Sequence, residues 1–271
     1  MTSEIRRRKL ESLLLTYNSN LVKMDKYGLV GFPLGHSFSK SFFNDKFAGE
    51  GIDAEYLNFE IPTIDDFMGI IVANPELKGL NVTIPYKQKV ISFLDEVSKE
   101  AREIGAVNVI KVVESSNGKK KLVGYNSDVT GFVQSIEPLL KPHHKKALIL
   151  GTGGASKAVH YGLTRILGLE TVFVSRFERP NTVTYDAITP EAVREYEVIV
   201  NCTPCGMFPH TDECPKLPYE AMTSNNLLYD LVYNPDETLF MHKGAAYGAV
   251  VKNGLEMLVL QAMASWEHWN E

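Results

Sequence analysis

Lys145-Lys-Ala-Leu-Ile-Leu-Gly-Thr-Gly-Gly-Ala-Ser156 joins a short apolar run to a glycine-rich loop. Beyond it, Ala158, Tyr161, Gly162 and Ile166 share one side of a helix. An apolar run of this length between turn signals reads as a buried strand. Strand, glycine loop and helix in that order form the arrangement that holds the pyrophosphate of a dinucleotide. Gly151 permits the tight turn, and Gly153 lets backbone come close to a phosphate. The N-terminus of the helix that follows adds unpaired N–H groups and a partial positive charge. Ser156 takes the place of a third small residue and still allows close helix packing.

The next segments repeat the rhythm. Glu170-Thr-Val-Phe-Val-Ser175-Arg176 reads as a second strand, Glu197-Val-Ile-Val-Asn-Cys202 as a third, and Leu227-Leu-Tyr-Asp-Leu-Val-Tyr233 as a fourth. Strands alternating with helices predict a parallel sheet covered on both faces. A binder of NAD usually carries an acid near the end of the second strand. Here the strand ends in Ser175-Arg176, and a guanidinium pairs with a 2′-phosphate that an acid would repel. The expected cofactor is therefore NADP, with Glu178 as the opposing feature.

The first half mixes its elements differently. Tyr27–Phe32, Ala54–Ile61 and Gly79–Ile84 read as strands, and Ser39–Ala48 has helical spacing at Phe42, Phe43 and Phe47. Thr63-Ile-Asp-Asp-Phe67 begins with a capping residue and two acids, so a helix follows. Val107–Glu114 and Lys121–Tyr125 flank Asn117-Gly118, a hairpin signal. From Leu255 to Trp269 the apolar residues are again at helical spacing.

Composition narrows the function. Lys and Arg number 28 against 33 Asp and Glu in 271 residues, a net charge of −5. That balance argues against broad nucleic-acid binding, which needs a basic excess. No stretch reaches the 18 apolar residues of a membrane span. Arg6-Arg-Arg-Lys9 followed by Leu13-Leu-Leu15 is too short a pattern for a secretory signal. Residues 1–23 read as an extension, flexible or a short basic helix with Ile5, Leu10, Leu13 and Leu14 on its apolar side. Three cysteines, Cys202, Cys205 and Cys214, do not suggest a disulfide framework. The expected setting is cytoplasmic, with a small-molecule substrate, no nucleic acid, no membrane, and a monomer or homodimer.

Two polar clusters precede the glycine loop: His36-Ser37-Phe-Ser39 and Asn81-Val-Thr83-Ile-Pro-Tyr-Lys87. In a strand, Asn81 and Thr83 point to one face. Together with Gly105-Ala-Val-Asn108, Gly124-x-Asn-x-Asp128-x-x-Gly131, Gly151-x-Gly-Gly-Ala155, Asn201-x-Thr203-Pro-x-Gly-Met207, Asp230-x-x-Tyr233-Asn-Pro and Gly254-x-x-Met257-Leu-x-x-Gln261-Ala, they form eight blocks in order. In these blocks the chain resembles the shikimate dehydrogenase family from about Tyr27 to Trp269.

The resemblance implies NADP-dependent, reversible reduction of 3-dehydroshikimate to shikimate, in the synthesis of aromatic amino-acid and chorismate precursors. It implies an α/β fold of two domains: a Rossmann-type parallel sheet with the NADP site, and a discontinuous α/β substrate-binding domain. The boundaries expected are 24–125 and 251–271 for the substrate-binding domain and 126–250 for the dinucleotide-binding domain. Carried over block by block, Lys87 and Asp128 are the catalytic residues. Ser37 and Ser39 hold the substrate carboxylate, and Asn81, Thr83, Asn108 and Gln261 bond the ring hydroxyls. Tyr233 approaches the substrate or the nicotinamide. Gly151, Gly153, Gly154, Ala155, Ser175, Arg176, Thr203 and Gly254 contact the cofactor.

The chemistry agrees with these assignments. Hydride reaching a ketone carbon leaves negative charge on its oxygen, and a protonated lysine stabilises that charge and supplies the proton. An aspartate beside it fixes the lysine and a substrate hydroxyl in register. Two departures matter: Lys40 stands where the family usually has proline, and Ser175-Arg176-Phe177 replaces the usual Asn-Arg-Thr. Three other readings compete. They are an NAD-preferring quinate/shikimate dehydrogenase, a non-catalytic NADP sensor of the same fold, and a relative acting on another hydroxy acid. Cys202-Thr-Pro-Cys205 with His210 and Cys214 invites a zinc or redox reading. The absence of a second well-spaced ligand pair favours packed thiols and no metal. His143-His144 reads as a solvated linker.

Overall fold

The computed structural model describes residues 24–35, 38–114 and 119–271. Residues 1–23, His36 and Ser37, and residues 115–118, which include the Asn117-Gly118 hairpin signal, lie outside them. The described residues form an α/β fold on two six-stranded sheets.

The first sheet contains β1 (Asp25–Gly31), β2 (Ala54–Glu60), β3 (Leu77–Val82), β4 (Glu96–Val97), β5 (Val109–Glu114) and β6 (Lys120–Tyr125). Its order is β2-β1-β3-β5-β6-β4. β1 pairs in parallel with β2 and β3, whereas β3–β5 and β5–β6 are antiparallel. The β5–β6 register, Val109 with Tyr125 to Glu114 with Lys120, is that of the expected hairpin. α1 (Phe38–Glu50) packs on β2 and β1, and its start at Phe38 leaves Lys40 exposed in the first turn. After Thr63 a single tight turn, capped by the Thr63 hydroxyl, leads into α2 (Phe67–Ala73). α3 (Lys99–Ile104) is capped by Ser98 and ends at Gly105, whose φ of 70° suits a left-handed cap.

The second sheet is parallel throughout. It contains β7 (Lys146–Leu150), β8 (Glu170–Ser175), β9 (Thr182–Thr184), β10 (Val198–Asn201), β11 (Leu227–Asp230) and β12 (Val250–Lys252), in the order β12-β11-β10-β7-β8-β9. Side chains alternate across it. Ala147 and Ile149 join Phe132, Val159 and Tyr229 in one core. Leu148 and Leu150 join Val193, Ile199 and Phe240 in the other. The first of these cores lies under α4 (Asp128–Ile136) and α5 (Gly154–Tyr161), the second under α6 (Pro190–Glu195) and α7 (Leu239–Ala246). The edge strands β9 and β12 have three residues each. They are too short to show a periodicity, which is why spacing revealed only the four inner strands.

The C-terminal helix α8 (Leu255–Asn270) returns to the first sheet, against β3 and β5. Trp269 donates its indole N–H to the Ile110 carbonyl at 3.1 Å. Its ring packs with Tyr27, Phe43 and Tyr56 in a buried aromatic cluster. α8 also crosses α4, so α4 touches both halves of the molecule. At that crossing Gly131 is required by space: a Cβ there would sit 2.6 Å from the Met257 carbonyl oxygen.

His144 departs from the solvated linker expected of it. It is buried, its Nδ1 accepts from the Lys141 N–H at 3.1 Å, and its Nε2 lies 2.9 Å from the Asn225 carbonyl. Burial holds its pKa below the usual value. A neutral ring that accepts through one nitrogen and donates through the other ties the start of β7 to the β11 side of the sheet. Among the described residues no helix is long and apolar enough to cross a membrane.

Candidate active site

Lys87 follows the Thr83–Tyr86 turn, where the Tyr86 N–H donates to the Thr83 carbonyl at 2.9 Å. Its own carbonyl accepts from the Val107 N–H at 2.7 Å, which ties the segment to the chain that enters β5. Lys87 Nζ donates to Asp128 Oδ2 at 2.6 Å. The side chains are 15% and 2% exposed, so the pair is nearly sheltered from water. Asp128 opens α4, where the helix dipole favours a carboxylate. Its other oxygen accepts from Asn108 Nδ2 at 2.9 Å. An ammonium held this way has one oxygen partner and further N–H bonds to offer a ligand.

Asn108 sits just before β5 and is buried. Its Oδ1 accepts from the Ser127 N–H at 2.7 Å, and its Nδ2 also reaches Ser127 Oγ at 3.0 Å. Asn81, on β3, receives the Tyr56 hydroxyl on Oδ1 at 2.8 Å. Its Nδ2 donates to the Asn108 carbonyl at 3.2 Å and to Ser265 Oγ at 2.9 Å. Ser265 belongs to α8 and bonds the Gln261 carbonyl one turn back at 2.8 Å. Burial raises the Tyr56 hydroxyl well above its usual pKa, and Ser39 works in the opposite direction. Thr83 lies two residues along from Asn81, its methyl over Gly31. Lys87, Asp128, Asn108 and Asn81 are thus linked through side chains, by way of Ser127 and Ser265, and Gln261 joins through its backbone. Ser37 lies outside the described residues. Tyr233 is on the loop after β11, its ring 6.4 Å from that of Phe38.

The glycine loop adjoins this cluster. A Cβ on Gly154 would lie 3.2 Å from Cβ of Lys87, so the lysine stem rests against the start of α5. Gly151 has φ 106°, a value for which glycine is suited, and the Thr203 methyl packs against it. Thr203 Oγ1 donates to Asn201 Oδ1 at 2.6 Å, and Asn201 Nδ2 donates to buried Asp230 at 2.9 Å. Gly254 starts α8 and donates its N–H to the Val232 carbonyl at 3.1 Å.

Space at the loop fits a dinucleotide. A Cβ on Gly153 would meet nothing within 4 Å, and the first turn of α5, Gly154 and Ala155 included, has no capping side chain. These are the room and the unpaired N–H groups that a pyrophosphate takes up. At the end of β8, Ser175 is buried and Arg176 is exposed, its guanidinium over the Phe177 ring at 5.9 Å. Sequence reasoning missed Arg179. Its guanidinium reaches Thr152 of the glycine loop at 3.3 Å, so a positive group lies against the loop. It also missed Tyr56, Ser127 and Ser265, common residue types with no local pattern to mark them. Cys202, Cys205 and Cys214 are free thiols. Burial pushes Cys205 up to about 11 and Cys202 well above its ordinary value, so both stay protonated near neutral pH.

Residues 29–110 match the shikimate dehydrogenase substrate binding domain. The shikimate dehydrogenase (NADP(+)) of Desulforamulus reducens is 35% identical over 265 residues, covering 89% of this chain and 88% of that protein. The chain belongs to the shikimate dehydrogenase family. Solved structures of the family superpose closely. Shikimate dehydrogenase from Aquifex aeolicus gives a TM-score of 0.79 at 32% identity, over 92% of this chain and 93% of that one. The Thermus thermophilus enzyme, solved in complex with NADP(H) and shikimate, gives 0.78 at 30% identity, over 91% and 93%.

Proposed function

We propose that the chain is an NADP-dependent shikimate dehydrogenase that interconverts shikimate and 3-dehydroshikimate, with Lys87 and Asp128 as its catalytic pair. The observation that carries this reading is the sheltered Lys87–Asp128 ion pair resting against the start of the glycine loop. It puts a proton donor beside the place where a dinucleotide fits.

When bound, the nicotinamide gives or takes a hydride. In the reducing direction Lys87 donates an Nζ proton to the ketone oxygen as negative charge builds on it. In the oxidising direction its neutral amine takes the hydroxyl proton. Asp128 keeps Nζ aimed and holds a positive charge where the oxyanion forms. Ser37 and Ser39 hold the substrate carboxylate, while Asn81, Thr83, Asn108 and Gln261 bond its hydroxyls. Tyr233 closes the opposite side. Gly151, Gly153, Gly154 and Ala155 bind the pyrophosphate, and Thr203 and Gly254 line the rest of the cofactor path. Ser175, Arg176 and Arg179 receive the 2′-phosphate, which supports NADP over NAD.

In this reading residues 24–125 and 251–271 serve the substrate and 126–250 the dinucleotide. The protein works as a monomer or homodimer in the cytoplasm. Steady-state oxidation of shikimate and of quinate, each with NADP and NAD, tests all of this. High kcat/KM with shikimate and NADP is the expected result. Preference for quinate or NAD selects the alternative enzyme, and no turnover with any pair removes the catalytic reading.

A further inference from the structure

The hydrogen-bond chain around Asn81 and Asn108 assigns every one of its protons. Ser265 Oγ lies 2.8 Å from the Gln261 carbonyl, which can only accept, so the single hydroxyl proton of Ser265 goes there. Its lone pairs then face Asn81 Nδ2 at 2.9 Å and Ser127 Oγ at 3.0 Å. Ser127 must therefore donate to Ser265, and it accepts from Asn108 Nδ2 at 3.0 Å. The Ser127 hydroxyl makes no cap bond to α4. Asn126 serves there instead, accepting from the Val129 N–H at 3.2 Å.

The orientations of both amides follow from groups that cannot change sign. Asn81 Nδ2 faces the Asn108 carbonyl, an obligate acceptor. Asn108 Oδ1 faces the Ser127 N–H, an obligate donor, and its Nδ2 faces the Asp128 carboxylate. All four amide N–H bonds of the two residues are spent inside the protein. What each still has to offer a ligand is a lone pair on its oxygen.

We propose that Ser265 is a positioning residue. It takes up the second N–H of Asn81, and through Ser127 the second N–H of Asn108, so that both carboxamides have only an acceptor left for the ligand. Those two positions then take ligand hydroxyls as donors and disfavour ethers or ketones, which only accept. Lys87 is left as the donor at the reacting oxygen. Ser265 is completely buried and touches no ligand space of its own, so it acts only through its neighbours. Its consequence for shikimate rests on the function proposed above.

Ser265→Ala removes the acceptor shared by Asn81 and Ser127. We expect the KM for shikimate to rise about tenfold, with kcat within about threefold and the KM for NADP within about twofold of the starting protein. The double variant Ser265→Ala/Asn81→Ala should fall below Asn81→Ala by clearly less than Ser265→Ala falls below the parent, because one of the serine's two routes runs through that amide. Ser127→Ala should reproduce the KM effect and covers a Ser265→Ala protein that fails to fold. In the ligand-free protein, Ser265→Ala should also shift the side-chain amide NMR signals of both Asn81 and Asn108. An unchanged shikimate KM, full additivity with Asn81→Ala, or an unmoved Asn108 amide signal overturns the proposal. Lack of activity in the parent protein would overturn the enzymatic reading instead, and the amide signals would still decide the role of Ser265.

Discussion

Lys87 Nζ and Asp128 Oδ2 lie 2.6 Å apart although 41 residues separate them in the chain. The lysine comes from the segment after β3 and the aspartate from the first turn of α4, so the pair exists only when the two halves of the molecule meet. Lys87→Ala should lower kcat at least about a hundredfold, the usual worth of a general acid–base group. Asp128 keeps its bond to Asn108, so the fold should persist. Steady-state rates with circular dichroism check this, and near-normal turnover in a folded variant would remove Lys87 from the mechanism.

Arg176 and Arg179 predict how the cofactor is chosen. Charge-assisted bonds to a phosphate are worth roughly 1.5–3 kcal/mol each, a factor of about 10–100. Arg176→Ala should raise the KM for NADP by that factor while leaving the KM for NAD nearly unchanged. Arg179→Ala should act in the same direction, because Arg179 bonds Thr152 beside the same loop. Equal losses with both cofactors would place these arginines away from the 2′-phosphate.

Gly131 governs the crossing of α4 and α8. The methyl of Gly131→Ala would lie 2.6 Å from the Met257 carbonyl oxygen and 2.9 Å from the Gln261 N–H nitrogen, so α8 must move. Overpacking of this kind costs about 1–3 kcal/mol. A lower melting temperature together with a raised shikimate KM is expected, since Gln261 and Ser265 travel with α8. A variant that melts normally would show that the helices can part without cost.

Asp230 gives a pH signature of stability. Burial raises its pKa from 3.8 to about 6, against the lowering effect of its bonds from Thr238, Val232 and Asn201. A carboxyl whose folded value is raised stabilises the fold fully below its unfolded value, and that contribution is lost as pH rises through the folded value. The span from 3.8 to about 6 corresponds to ~3 kcal/mol. Asp230→Asn keeps an oxygen for Asn201 and Val232 and can donate to Thr238. Its melting temperature should therefore gain on the parent protein as pH rises from about 4 to 7. A difference that does not vary with pH would show that Asp230 does not titrate in this window.

The candidate site was legible wherever its chemistry sits in a short stretch. Gly151 to Ala155 could be recognised because the strand before them and the helix after them are local patterns. Lys87 and Asp128 stood out through the blocks around them, and both are in the ion pair. His144 was misread because a histidine beside a basic pair looks solvated until the Asn225 carbonyl closes over it.

By itself the sequence determined the alternation of strands and helices, the place of the glycine loop, and the residues able to carry a proton or a phosphate. Each depends on neighbours within a few positions, where backbone geometry and side-chain period are set. The tertiary structure alone decided which of these residues meet. Asn81 and Ser265 are 184 residues apart, and their contact requires the register of β3 and the close crossing at Gly131. Arg179 reaches Thr152 only because the chain turns back after β8. Hydrogen bonds extend about 3 Å and depend on direction, so they follow from packing at long range and leave no trace in local spacing.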